Sequence, residues 1–398
     1  MKTSTILTVL ALTLTPFGIS SAGEWDVSGF IGFDTRAFWE DSQFLDQDDD
    51  LNGSPIVQPE VYWQSDDAKQ RFGFVGFARV DSVDDERTHA DIRELHWGYE
   101  GNGWDFNLGI NKVFWGVTES RHLVDVINQT DLVEDIDQED KLGQPMVNVN
   151  LQRNFGRFEL FVLPYFRERT FPGLDGRLRT PLPVDTDDAL YESSEEEGHV
   201  DFAFRYSHYV GDVDLAAYVF DGTSREPTFR LSAERNRLVP FYEQMTQAGF
   251  ELQYTRDAWL WKLEAIGRDA TSDSFAAAVG GLEYTFYGVR NSAVDIGVLA
   301  EYLYDDRDDN APLTAFDKDV FIGTRVALND TDDTSILAGF ALDVDTHEAF
   351  LNLEAEKRFG DKLFGELRLR AFANADPGDA TYAFERDDYV QLRLSWYY

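Results

Sequence analysis

The chain has 398 residues, no cysteine, and 74 acidic against 35 basic side chains, a formal net charge of -39. The missing thiols exclude a disulfide framework, thiolate metal sites and a cysteine nucleophile. The acidity, with a pI near 4.3, argues against nucleic acid or an anionic membrane surface as partner.

Residues 1–22 read as a secretory signal: Lys2 is the positive start, Ile6 to Leu14 a short apolar core, and Ser20-Ser21-Ala22 a small-residue cleavage site. The expected mature chain is then 23–398, read as one domain. Beyond this segment no apolar run approaches the roughly 18 to 20 residues of a spanning helix, and mean hydropathy is -0.37. A membrane β-barrel has such an average, because lipid-facing and lumen-facing residues alternate along each strand.

Alternation begins at Trp25 to Trp39, with Val27, Gly29, Ile31 and Phe33 on one face and Ser28, Phe30, Asp34 and Arg36 on the other. Further alternating segments follow at 56–64, 71–81, 89–100, 103–115, 146–154, 157–166, 199–208 and 212–221. The remainder lie at 245–255, 258–268, 274–287, 292–304, 318–328, 334–344, 348–358, 362–373 and 388–398. The fold class is therefore all-β: a transmembrane antiparallel β-barrel of about 18 strands, within a range of 16 to 18. The long connections, 41–54, 116–145, 167–197, 222–241, 305–317 and 374–387, all follow odd-numbered strands, whereas tight turns such as Gly101-Asn102-Gly103 follow even ones. In bacterial barrels the long loops face outward and the short turns face the periplasm.

Sorting by face gives the lumen. In 362–373 one side carries Leu363, Leu367 and Leu369 and the other Glu366, Arg368 and Arg370. Arg325, Glu354, Glu356, Arg205, Glu251, Lys262, Glu264, Arg268 and Arg393 share their strands' polar face in the same way. An arginine or lysine facing lipid at mid-membrane costs about 2–4 kcal/mol, so these residues are placed inside, and a polar, wet interior is expected.

The connection from Lys112 to Pro145 is partly apolar and partly acidic. Leu123, Val124 and Ile127 fall at helical spacing, and Asp131 to Glu134 has capping-box spacing for a second short helix. Such a loop is expected to fold inward and narrow the barrel, since long ordered loops tend to be functional. Asp131, Glu134, Asp135 and Asp137 would then face a basic wall of Arg36, Arg368, Arg370 and Arg393 across a constriction that also includes Arg325 and Glu366. The competing reading pairs Glu354, Glu356 and Glu366 locally with these arginines.

The arginines of 167–197, Arg167, Arg169, Arg177 and Arg179, read first as a solvated surface loop and second as reaching the pore mouth. Asp48, Asp50, Asn52 and Gly53 begin like a calcium loop, but the twelfth position is Pro59 rather than glutamate, which excludes an EF-hand. Asp48, Asp50 and Asn52 stay as a weak calcium candidate in an acidic surface loop; no other cofactor is expected. The six histidines are scattered, and no zinc spacing, phosphate loop or nucleophile elbow occurs, so no enzyme activity is expected.

Val390, Leu392, Leu394, Trp396 and Tyr398 form one apolar face at the carboxyl end. On these residues the chain resembles Gram-negative outer-membrane β-barrel proteins, and the resemblance implies that Trp396 and Tyr398 form an assembly signal read by the barrel-assembly machinery. Lys112-x-x-Trp115-Gly116 and Asp125-Val126-Ile127-Asn128 resemble a porin-like outer-membrane family and, more distantly, alginate-export barrels. The lumen departs from a sugar-acid exporter in not being dominated by arginine. The resemblance implies an outer-membrane location, contact with lipid and lipopolysaccharide, a small-molecule solute, and a homotrimer as a candidate assembly. The expected function is passive diffusion through a porin-like channel; a structural or adhesive barrel and a component of an export system are the alternatives.

Overall fold

The computed structural model describes residues 23–47 and 50–398; the expected signal segment lies outside the described residues. The first seven strands are β1 (Glu24–Phe38), β2 (Leu51–Gln64), β3 (Gln70–Arg79), β4 (His89–Glu100), β5 (Trp104–Asn111), β6 (Gln144–Arg153) and β7 (Gly156–Leu163). After the two-residue β8 (Leu190–Tyr191) come β9 (Asp201–Val210), β10 (Val213–Thr223), β11 (Thr228–Leu231), β12 (Leu238–Tyr242), β13 (Gln244–Arg256) and β14 (Trp259–Ala270). The remaining strands are β15 (Ser274–Phe286), β16 (Asp295–Asp305), β17 (Lys318–Ala327), β18 (Ser335–Asp343), β19 (Ala349–Phe359), β20 (Leu363–Ala373) and β21 (Tyr389–Tyr397).

Eighteen of these strands form one sheet, and β21 pairs antiparallel with β1 to close it, from Phe30 opposite Tyr397 to Phe38 opposite Tyr389. Closure pairs the backbone groups that an open edge would leave free. Every barrel strand neighbours the next one in the chain, with β8, β11 and β12 set apart as a small sheet within the long connections. The expected strand number and the alternation of long and short connections are both present.

The period of two separates the faces as expected. Ile31 and Phe33 of β1 are more than half exposed, with Leu392, Leu394 and Trp396 beside them on the same outer surface, while Asp34, Arg36, Gln391 and Ser395 are buried inside. At the seam Gly29 has φ +143, and an added Cβ would lie 2.2 Å from the Gln58 carbonyl and 2.8 Å from the Tyr398 hydroxyl.

Two expectations are corrected. The fifth strand ends at Asn111, so Trp115 belongs to the connection, where it is buried against Phe161 and Tyr218. The interior is also not uniformly wet. Inward residues of the strands from β6 to β18, among them Met146, Phe161, Phe220, Ile266, Val279 and Leu299, pack with Trp115, Leu123, Val124 and Ile127 into one apolar cluster. Alternation tells one face from the other, but where both faces are apolar, as in β10 and β15, it does not reveal that a loop covers the inner one.

Candidate functional site: a loop pinned across the lumen

The connection between β5 and β6 enters the barrel and is held on opposite sides by opposite chemistry. Its neck is closed by Asn128, whose amide donates to the Asn111 and Leu142 carbonyls, each at 2.9 Å, and whose Oδ1 accepts from Val113 N at 2.9 Å.

The first half is held by carboxylates of the wall. Glu264 of β14 accepts from Val117 N (2.7 Å), Thr118 N (3.0 Å) and Thr118 Oγ1 (2.6 Å) through Oε1, and from Val124 N (3.2 Å) through Oε2. Glu301 of β16 accepts from Glu119 N, Ser120 N and the Ser120 hydroxyl. A buried carboxylate is tolerable when several N–H and O–H donors surround it, because they replace its lost hydration.

These bonds explain why the expected helices do not form. The amides that would begin helical ladders are committed to the wall, and Leu123, Val124 and Ile127 bury against the barrel core. Asp131 and Glu134 do not cap their own turn. Asp131 takes Arg93 and the Thr170 hydroxyl (2.7 Å), and Glu134 takes Arg79. Among the described residues no α-helix occurs in this stretch, which runs through turns and isolated bridges.

The second half is held by wall arginines. Arg79 of β3 grips Glu134 through two contacts, Nη2–Oε2 at 2.6 Å and Nε–Oε1 at 2.8 Å, while its Nη1 reaches Asp34 at 3.1 Å. Asp135 meets Arg368 at 2.7 Å and Arg370 at 3.3 Å; Asp137 lies 3.0 Å from Arg370, which also pairs with Glu354 at 2.6 Å. Arg36 donates to the Glu134 carbonyl and to Gln391 Oε1, and Arg393 pairs with Asp34 at 3.0 Å. Glu366 lies 3.5 Å from Arg368. Loop acids paired to the wall and local strand pairs of Glu354 and Glu366 therefore occur side by side, whereas Glu356 makes no ion pair among the described residues.

Burial sorts these charges. Arg36, Arg370, Asp131, Glu134 and Asp135 are enclosed between loop and wall, whereas the side chains of Arg325 and Glu139 are 45% and 63% exposed to the lumen. Arg325 and Lys262 reach Glu119 on the loop at 2.6 and 3.6 Å. His122 sits 3.9 Å from both Glu139 and Glu264; burial opposes its charging, but the two carboxylates prevail and raise it to about 10. Burial and the neighbouring Asp135 push the Asp137 carboxyl well above the carboxylate range.

No family model matches the chain, and no curated protein matches it. Among solved structures, OccAB4 of Acinetobacter baumannii aligns with 95% of this chain and 98% of its own, at TM-score 0.53 and 12% identity. OpdQ of Pseudomonas aeruginosa aligns with 94% of this chain and 97% of its own, at TM-score 0.51 and 10% identity. The fold is that of an outer-membrane porin barrel.

In this barrel the arginines of the 164–200 connection are not loosely solvated, which corrects the first reading of that stretch. Arg177 is buried on Asp387 (2.6 Å), Arg167 pairs with Asp91 (2.9 Å), and Arg179 donates to the carbonyls of Leu174, Thr180 and Pro181. A connection that folds back over the barrel mouth supplies partners that a free loop would lack. Of the calcium candidates, Asp48 lies outside the described residues, Asp50 is 3.7 Å from Arg177, and Asn52 faces inward in register with Arg36. His89, Asp131 and Glu134 bring ligand atoms within 4.8 Å of one another, but Arg93 and Arg79 already neutralise the two carboxylates. Trp396 and Tyr398 lie on the outer face beside the seam.

Face sorting placed Glu264 inside without showing what it holds, and Glu301 was missed as a loop partner. Arg79 and Arg93 were missed as loop partners, although both lie on inward faces of expected strands and that position was their only signal.

Above the pinned loop the lumen contains a cavity of about 340 Å³ bounded by loop residues Glu119, Arg121 and His122 and by the wall. On the other side of Trp115–Val117 lies a second space of about 650 Å³, reached by Arg205 and Glu251.

Proposed function

We propose that the chain is a porin-like outer-membrane channel through which small polar or charged solutes diffuse passively, narrowed by the 112–143 loop. The observation that carries this reading is the loop's attachment to opposite walls, by Glu264 and Glu301 on one side and by Arg79, Arg368 and Arg370 on the other. A loop so fixed divides the lumen without filling it and leaves cavities on both of its sides. Barrels of 16 to 18 strands are wide enough for an aqueous path.

Under this reading the apolar outer face meets lipid, the long connections face lipopolysaccharide and the medium, and Trp396 and Tyr398 serve the barrel-assembly machinery. Export follows a cleaved signal at 1–22, a homotrimer is the candidate assembly, and no catalysis is assigned. The charges left open to the lumen, Glu139 against Arg325, set ion preference through a field that strengthens in a narrow passage.

Single-channel recording of the folded barrel in a planar bilayer tests the proposal. Discrete conductance steps are expected, with a reversal potential under a salt gradient that moves toward anion preference in Glu139→Gln and toward cation preference in Arg325→Gln. A folded, inserted barrel with no conductance would replace this reading with the structural or adhesive one.

A further inference from the structure

The 374–387 connection, between β20 and β21, folds back over the 340 Å³ cavity, which its residues Ala380, Thr381 and Phe384 help to line. It is held at two points of unlike chemistry. Near its end Asp387 takes the Arg177 guanidinium at 2.6 Å and accepts from Leu178 N at 2.8 Å. At its middle the partner is Glu348, from the short connection between β18 and β19, whose Oε1 accepts from Thr381 N at 3.0 Å and from the Thr381 hydroxyl. The Phe384 ring lies 5.7 Å from that of Phe372 and Ala383 is buried, so the bonds to Thr381 hold down a packed segment.

Glu348 is an anchor without a counter-charge. Asp379 of the same connection, Asp319 of β17 and Asp343 of β18 all act on it. Asp319 and Asp343 stand opposite each other in the strand register and are both buried, and Asp317 brings an oxygen within 4.8 Å of theirs. Among the described residues no basic side chain lies within ion-pair distance of any of these carboxylates. Lys318 is taken by Asp345 at 2.6 Å, and Arg121 of the inward loop by Asp305 at 3.2 Å. Burial is the first reason that the Glu348 carboxyl is raised from 4.5 to about 7; the Thr381 N–H opposes the rise, and the three aspartates add to it. Ionising Glu348 in place gathers like charges in a half-buried site. Lifting the connection hydrates the carboxylate and carries Asp379 away from it.

We propose that the 374–387 connection is a pH-sensitive lid on the cavity, latched while Glu348 is protonated and released when it ionises. The inference rests on the channel reading only for the effect of the lid on passage. Its direction follows from linkage. A carboxyl at about 7 in the latched state and at 4.5 once hydrated contributes its full stabilisation below pH 4.5, and that contribution is lost as pH rises through 7.

The chain has no cysteine, so a single Ala383→Cys in the buried part of the lid reports opening, with Ala380→Cys, exposed in the same connection, as its reference. Methanethiosulfonate labelling of the full folded barrel in detergent is read as the ratio of the two rates, in which the ionisation of the thiol itself cancels. With Glu348 in place the ratio is expected to rise at least about fivefold from pH 5 to pH 8. Glu348→Gln keeps the acceptor oxygen without the charge and should hold the ratio at its pH 5 value throughout, whereas Glu348→Ala removes the latch and should hold it high throughout. Heat-modifiable mobility reports whether each variant has folded, and the pH step itself needs no change at Glu348. A ratio independent of pH with Glu348 present, or a step that persists in folded Glu348→Gln, would overturn the inference. A labelling step in a barrel without conductance keeps the lid and refutes the channel. Conductance with a flat labelling ratio refutes the lid and leaves the channel.

Discussion

Arg79 on β3 and Glu134 on the inward loop meet through two parallel contacts, 2.6 and 2.8 Å, with both side chains almost wholly buried. Fifty-five positions apart, they join the barrel wall to the loop in the geometry that a guanidinium and a carboxylate prefer. Breaking a buried pair strands the other charge, at a cost of about 3–5 kcal/mol. Arg79→Met should therefore release the acidic half of the loop, and in bilayers its conductance should be larger and noisier than wild type. Traces indistinguishable from wild type in a folded variant would show that Arg368 and Arg370 suffice.

Glu264 acts on the other half through hydrogen bonds. Glu264→Gln keeps the size but replaces one acceptor oxygen with a donor, leaving N–H groups of Val117, Thr118 or Val124 unpaired at about 1–3 kcal/mol. Amide exchange at these three positions should accelerate while the β14–β15 ladder stays protected. Unchanged exchange at Thr118 would mean that the apolar packing of Leu123 and Val124 alone holds this segment.

Docking of the loop should depend on pH. His122 is raised from 6.5 to about 10 in the docked loop, so its contribution is complete below 6.5 and disappears as pH rises through 10. Burial beside Asp135 raises Asp137, which likewise favours docking at lower pH. Glu134 and Asp135 run the other way: burial opposes their ionisation, but Arg79 and Arg370 hold both below the usual range, so their contribution is lost only in acid. The loop should be firmest just above the ordinary carboxylate range and should loosen as pH rises, first through Asp137 and then, above 6.5, through His122. Conductance noise recorded from pH 5 to 10.5 should rise at the alkaline end in wild type, and His122→Gln, noisier from the start, should lack that step.

Closure of the barrel passes beside Gly29, where φ is +143 and a Cβ would lie 2.2 Å from the Gln58 carbonyl. Gly29→Val adds a branched side chain to a conformation that L-residues rarely adopt, against backbone that cannot withdraw. A marked fall in the heat-modifiable folded fraction is expected, whereas Gly267→Val, where a Cβ meets no atom within 4 Å, should fold normally. Equal yields of the two would remove the seam as the sensitive point.

Much of this molecule was written in local pattern. Period-two alternation determined that Val27, Ile31 and Phe33 face outward and that Arg36, Arg325, Glu264 and Arg368 face inward, because successive side chains of a strand point to opposite sides whatever lies beyond them. Counting the alternating segments gave about 18 strands, and the rhythm of long and short connections was consistent with that count. The partners were decided only by tertiary structure. Arg79 meets Glu134, Glu264 meets Thr118, and Arg370 meets Asp135 across 55, 146 and 235 positions of chain, and such pairs are in reach only after β21 has closed on β1. The same closure turned an apparent helical pattern at Leu123–Ile127 into a run of turns bonded to the wall, since donors that find buried carboxylates no longer need a helix to satisfy them.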